Sequence, residues 1–362
     1  MKFFESDETK VVSSEDYNYV FSKKTGQFAR WGKTKEDDPE YSPYGPEILD
    51  LEISDGNCKF SCPFCYKGNA YGKPGYHMSL SQFKTVLSKF PKTLTQIAFG
   101  ITSMNANPHF FEIMEHSRVM GVIPNFTMKG LEVIDTETAE RIASLCGAVA
   151  VSIDMAHKDI GYNLIQKLTD AGMTQVNIHQ VLSMESIDQA KEIVDDIKSD
   201  YRLAKMNAIV FLQFKNKRSG SSYGKDKYHS ISSVEVYADL INYCESKNVN
   251  FGFDSCSAPL FMKSCKNPKQ IQFAEPCESG LFSSYVNCHG DFFPCSFSEG
   301  EGDWKEGLSV LNCDDFMKDI WNHPRVVEWR SVLISSSKKC ECIFANSCRS
   351  CPIYPEINSC KK

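Results

Sequence analysis

The run Cys58-Lys-Phe-Ser-Cys62-Pro-Phe-Cys65 puts three thiols on one short loop in C-x3-C-x2-C spacing, with no fourth cysteine or histidine close by. Thiolates are soft ligands that suit zinc or iron–sulfur clusters. A structural zinc closes its shell with four ligands, so a zinc knuckle here would have to borrow a remote one such as His77. A cubane cluster held through three of its irons keeps the fourth iron open to a small molecule.

The chain has 16 cysteines in 362 residues, eleven of them after residue 255, so two thiol-bearing regions frame a thiol-poor middle. The N-terminus MKFFESDETK lacks the apolar run of a signal peptide, and no later run is long enough to span a bilayer. The expected setting is therefore the cytoplasm, where many cysteines mean metal or redox chemistry rather than disulfides. A net charge of −6 argues against a general nucleic-acid binder. The most basic stretch, residues 215–227, is broken by Gly and Ser and reads as a solvated loop.

The elements that must position these thiols follow from the apolar pattern. Residues 1–46 read as a hairpin (19–21 and 27–31 around a Lys-Thr-Gly turn) and a charged, proline-rich linker. From 47 to 255, strand-like runs (48–53, 95–101, 122–127, 148–154, 175–181, 208–213, 249–254) alternate with amphipathic helices (79–90, 108–120, 135–145, 160–171, 186–198, 232–247). Asp135 is placed to cap the third helix, and Gly147 to close it. Repeated β-α units of this length imply an α/β fold with a parallel sheet rolled into a full or partial barrel. Within the strands, Val176 and Ile178 oppose Asn177 and His179, Val149, Val151 and Ile153 oppose Ser152 and Asp154, Phe251 and Phe253 oppose Gly252 and Asp254, and Leu49 and Leu51 oppose Asp50 and Glu52. With the apolar set against the helices, the lumen is polar and roomy, a pocket rather than a packed core.

The cysteine loop, lying just after a first strand, resembles the signature of the radical S-adenosylmethionine (radical SAM) enzymes. The resemblance implies a partial (β/α)6-type TIM barrel over 47–255 and a 4Fe–4S cluster held by Cys58, Cys62 and Cys65. It also implies S-adenosyl-L-methionine on the open iron, with Phe64 near the adenine. In that family a Gly-Gly-Glu-like segment follows the second strand; here the position reads Phe99-Gly-Ile-Thr-Ser103, with no acid, leaving Gly100, Thr102 and Ser103 as substitutes. Asn125, Ser152 and Asp154 fall where the ribose and methionine parts of SAM commonly bind. The implied reaction is reductive cleavage of SAM, fed by a flavodoxin or ferredoxin-type reductant, and hydrogen abstraction from substrate by the resulting 5′-deoxyadenosyl radical.

Residues 256–362 add a second resemblance. Cys277 to Cys295 is C-x12-G-x4-C, similar to the opening of the SPASM/twitch-like auxiliary cluster domain, with Gly290-Asp as a tight turn. The closing half, Cys340-x-Cys342-x5-Cys348-x2-Cys351 then Cys360, is one residue short of the usual spacing in two gaps. The resemblance implies one or two auxiliary 4Fe–4S clusters. The first would use Cys277, Cys295 and Cys351 with Cys256 or Cys265; the second would use Cys340, Cys342, Cys348 and Cys360. A zinc on Cys340, Cys342, Cys348 and Cys351 is the alternative.

For substrate, the first 46 residues are too short and strand-like for the winged-helix peptide-recognition domain common in peptide-modifying relatives, which favours a small molecule. The segments 250–258, 275–279 and 292–296 are reminiscent of the queuine lyase subgroup, which releases the 7-aminomethyl-deazaguanine precursor in queuosine salvage. Asp254, Asp154 or Glu278 could accept the paired N–H donors of a guanine-like edge, and Asn177 and His179 could meet a diol. A peptide- or protein-modifying maturase of the SPASM type is the alternative, and a metal-binding regulator that needs no SAM is a third class.

Overall fold

In the computed structural model, residues 1–217, 227–272, 274–337 and 349–358 are described. Four strands, β1 (Lys2–Glu5), β2 (Thr9–Ser13), β3 (Asn18–Ser22) and β4 (Phe28–Trp31), make an antiparallel meander. Only the last two are legible as a hairpin in the sequence. The first turn has no Gly or Asn; instead the Ser6 hydroxyl accepts from Thr9 N at 3.1 Å, an ST-type turn. The meander buries Val12, Tyr19 and Phe21. It is tied to the residues before the second barrel strand by Tyr19 Oη donating to Thr93 O (2.6 Å) and Lys10 Nζ donating to Leu94 O (2.6 Å).

The barrel strands begin with β5 (Ile48–Glu52), after which β6 (Ser54–Asp55) and β7 (Tyr76–His77) form a two-residue antiparallel clip. Then come β8 (Gln96–Gly100), β9 (Ile123–Lys129), β10 (Ala148–Ser152), β11 (Val176–Leu182), β12 (Ala208–Gln213) and β13 (Phe251–Phe253). β5 and β8 to β13 pair in chain order, all parallel. Helices α1 (Leu80–Lys89), α2 (Phe110–Val119), α3 (Thr136–Leu145), α4 (Lys158–Asp170), α5 (Ile187–Ser199) and α6 (Val234–Ser246) provide the crossovers. Ser79 and Gln82 form a reciprocal capping box on α1, and Asp135 accepts from Thr138 N at 2.7 Å on α3. Gly147 does not close α3; Cys146 is the cap, and Gly147 permits a close approach, since a Cβ there would lie 2.6 Å from Ile123 Cγ2.

The C-terminal third extends the same sheet. β14 (Ser283–Val286) pairs parallel with β5, followed by antiparallel β15 (Asp291–Phe293) and β16 (Leu308–Ser309). The result is one ten-stranded, mostly parallel sheet with β13 and β16 as its edges, an open partial barrel in an α/β fold. A π-helical turn, Phe316–Trp321, and a helix, Pro324–Ser337, pack behind it. Among the described residues no helix is long and apolar enough to cross a membrane.

Candidate active site at the C-terminal ends of the strands

The cysteine loop leaves β6 and returns at β7, so its base is pinned by the Ser54–His77 and Asp55–Tyr76 pairs. His77 is exposed on that clip. Inside the loop, Ser61 has φ 47°, and its hydroxyl accepts from Tyr71 N (2.8 Å) while donating to Cys58 O (3.2 Å). Cys65 N donates to Cys62 O (3.1 Å) and Cys58 N to Ala70 O (3.2 Å). Burial pushes the Cys62 thiol up, with Lys129 opposing. Three half-buried thiols on one loop are a soft donor set that suits an iron–sulfur cluster or zinc.

All three cysteines and Phe64 line a cavity of about 610 Å³ at the C-terminal ends of the strands. Asp50, Glu52, Ser152, His179 and Asp254 share its wall, as the strand alternation predicts, and so do Gly100 and Thr102. Gly100 lies against β5, where a Cβ would be 3.3 Å from Glu52 Cα. Thr102 is buried and its N–H donates to Ser54 Oγ at 3.0 Å. Burial holds His179 neutral, its imidazole lowered to about 4 against the pull of Asp254.

Five residues singled out in the sequence are placed elsewhere. Asn125 and Asn177 sit at the N-terminal ends of their strands. Asn125 accepts from Ala148 N and donates to Gln96, while Asn177 accepts from Asn207, so both are structural. The strands run further than the pattern suggests, to Lys129 and Leu182, which leaves these two residues at the far end. Asp154 lies outside the cavity wall, 3.7 Å from Lys129 and 3.2 Å from His157. Glu278 is bound by Arg30 of the meander at 3.2 Å. Ser103 starts the turn Met104–Ala106 rather than facing the cavity.

Several cavity residues were missed. Glu132, beyond β9, is buried; its Oε2 accepts from Met104 N at 3.3 Å, while its Oε1 has no hydrogen-bond partner among the described residues. Burial raises its carboxyl, with the Met104 N–H and Lys59 opposing. That Oε1 belongs to a residue lining the cavity. Lys67 reaches Glu52 (3.1 Å), Tyr285 Oη (2.6 Å) and Glu299. Lys215, also buried, is 3.6 Å from Asp254 and 3.9 Å from the Phe297 ring centroid. Burial opposes its charge, but Cys256, Asp254 and Cys351 more than offset that and raise it overall.

Near the cavity a second thiol group assembles. Burial raises the Cys256, Cys295 and Cys351 thiols. Cys256 is further raised by Cys277 and Cys295, and Cys295 by Cys277 and Cys351. Of the two alternatives for the fourth position, Cys256 is the one that interacts with Cys277 and Cys295. Cys265 packs with Ile241 and Phe261, its thiol donating to Gln270 Oε1 at 3.3 Å. Cys340, Cys342, Cys348 and Cys360 lie outside the described residues.

No family model and no curated protein matches this sequence. Among solved structures, the fold is that of Streptococcus suis SuiB. The form bound to its precursor peptide SuiA aligns with TM-score 0.71 at 13% identity, covering 96% of this chain and 95% of that one. The form bound to S-adenosylmethionine aligns with TM-score 0.69 at 14% identity, covering 95% and 94%. The similarity at this level of identity is one of fold.

Proposed function

We propose that this chain is a radical SAM enzyme that modifies a peptide or protein substrate. The observation that carries the reading is that Cys58, Cys62 and Cys65 line one strand-end cavity together with Glu132, whose Oε1 has no hydrogen-bond partner among the described residues. The three thiols would hold a 4Fe–4S cluster. Glu132, Gly100 and Thr102 would hold the polar end of SAM, and Phe64 its adenine. When bound, the cluster and SAM supply reductive cleavage of a sulfonium and abstraction of a substrate hydrogen. The protein orients the reactants and excludes water. His179, kept neutral, and the Lys215–Asp254 pair face the remaining volume, where a substrate group would be oriented.

Cys256, Cys277, Cys295 and Cys351 would hold one auxiliary cluster. Residues 1–46, 47–255 and 256–362 are read as meander and linker, barrel, and cluster-bearing extension.

The similarity to SuiB, seen with its precursor peptide over nearly the whole chain, supports a peptide substrate over the small molecule favoured by the sequence. The queuine reading finds no such support, and two of its three acidic candidates, Asp154 and Glu278, are outside the cavity wall. The test is anaerobic incubation with reductant, SAM and either queuine or a library of short synthetic peptides. A covalent mass change in a peptide is the expected result; release of the aminomethyl-deazaguanine with no peptide change would overturn the substrate assignment.

A further inference from the structure

Cys288 has no part in the cavity or in the second thiol group. Its donor atom nonetheless lies within 4.8 Å of those of Asp55 and His289, the one such trio among the described residues. We propose that Asp55, Cys288 and His289 form a zinc site that fastens the base of the cysteine loop to the β14–β15 turn.

The three ligands come from two segments that the fold holds independently. Asp55 belongs to β6, paired with Tyr76 of β7, where the 20-residue excursion carrying Cys58, Cys62 and Cys65 is closed. Cys288 and His289 occupy the turn after β14. Asn287 shapes that turn by accepting from His289 N (3.0 Å) and Asp291 N (2.9 Å). Gly290, at φ 85°, completes it. His289 Nε2 stands 3.7 Å from Asp55 Oδ2, and its ring lies 4.4 Å from that of Tyr76, which orients the imidazole.

One sulfur, one imidazole nitrogen and one carboxylate oxygen make a borderline-soft set suited to zinc. Tetrahedral bonds of about 2.0–2.3 Å put ligand atoms about 3.3–3.8 Å apart, which the His289–Asp55 distance already meets. Cys288 is fully buried, whereas the His289 side chain is 52% exposed, so a fourth position for water lies on the solvent side. Binding releases the thiol proton to solvent. This site shares no residue with the cavity and does not depend on what that cavity catalyses.

The experiment uses the full chain, anaerobically reconstituted with iron and sulfide, then given zinc and dialysed. Metal analysis and zinc-edge X-ray absorption are applied to the wild type, His289→Ala and Cys288→Ser. The expected result is about one zinc per chain with one sulfur and otherwise nitrogen or oxygen neighbours, held at least tenfold more weakly in either variant, with iron content unchanged. His289→Ala alters a half-exposed side chain, so it keeps the test valid should Cys288→Ser fold poorly. No retained zinc, zinc indifferent to both variants, or an all-sulfur shell would each overturn the proposal.

Discussion

Lys67, two residues past the last cysteine of the loop, donates to the Tyr285 hydroxyl at 2.6 Å across 218 positions of sequence. Tyr285 in turn donates to Glu52 at 2.9 Å, and Lys67 also pairs with Glu52 and Glu299. This buried network joins the first barrel strand, the cysteine loop and the C-terminal extension. Removing one partner of a buried pair leaves its counter-charge unmatched, at about 3–5 kcal/mol. Lys67→Met should therefore lower the anaerobic melting temperature by several degrees, and Tyr285→Phe by less, about 1–2 kcal/mol in free energy. Thermal unfolding of the two single variants and the double variant checks this; additive losses would show that the network is not one unit.

Glu132 is assigned the polar end of SAM. A hydrogen bond to a charged group is worth about 1.5–3 kcal/mol, so Glu132→Gln should weaken SAM binding roughly tenfold or more. Calorimetry on the anaerobic protein measures this directly. An unchanged affinity would return the role to Thr102 and the Gly100 backbone.

Cys256 and Cys265 separate the two arrangements of the auxiliary thiols. Cys256→Ser should lose about four irons per chain, the content of one cubane. Cys265→Ser should lose none, because that thiol packs with Ile241 and Phe261. Iron and sulfide analysis of both variants decides between them.

Burial pushes the Asp50 carboxyl from 3.8 up to about 6. Between those values the folded chain keeps a proton that the unfolded chain has released, so this residue's contribution to stability falls as pH rises from about 4 to about 6. Asp50→Asn should flatten the pH dependence of stability in that window. Denaturation at pH 4, 5, 6 and 7 measures it, and identical slopes for both proteins would contradict the assignment.

Much of this was legible in the sequence because the barrel repeats one physical unit. The seven parallel strands β5 and β8 to β13 follow from apolar runs separated by helices with caps such as Asp135, and the lumen follows from the two-residue alternation that aims His179 and Asp254 inward. What was not legible depends on where strands stop and on contacts distant in sequence. Asn125 and Asn177 have the right face and the wrong end. Glu132 belongs to no motif, and it stands out only when folding leaves its Oε1 beside the cavity with no partner among the described residues. Strand β14, continuing the barrel sheet beyond β5, joins residues more than 230 positions apart, a pairing no local pattern encodes.

In the proposed function Cys58, Cys62 and Cys65 hold a cluster with one iron open to SAM. That arrangement is tested by reconstituting the wild-type chain anaerobically, adding dithionite and SAM, and measuring 5′-deoxyadenosine alongside a Cys58→Ala, Cys62→Ala, Cys65→Ala variant. The wild type should give product and the variant none, while the variant keeps its auxiliary iron. A colourless wild-type protein with zinc on those three thiols and no 5′-deoxyadenosine would contradict that arrangement.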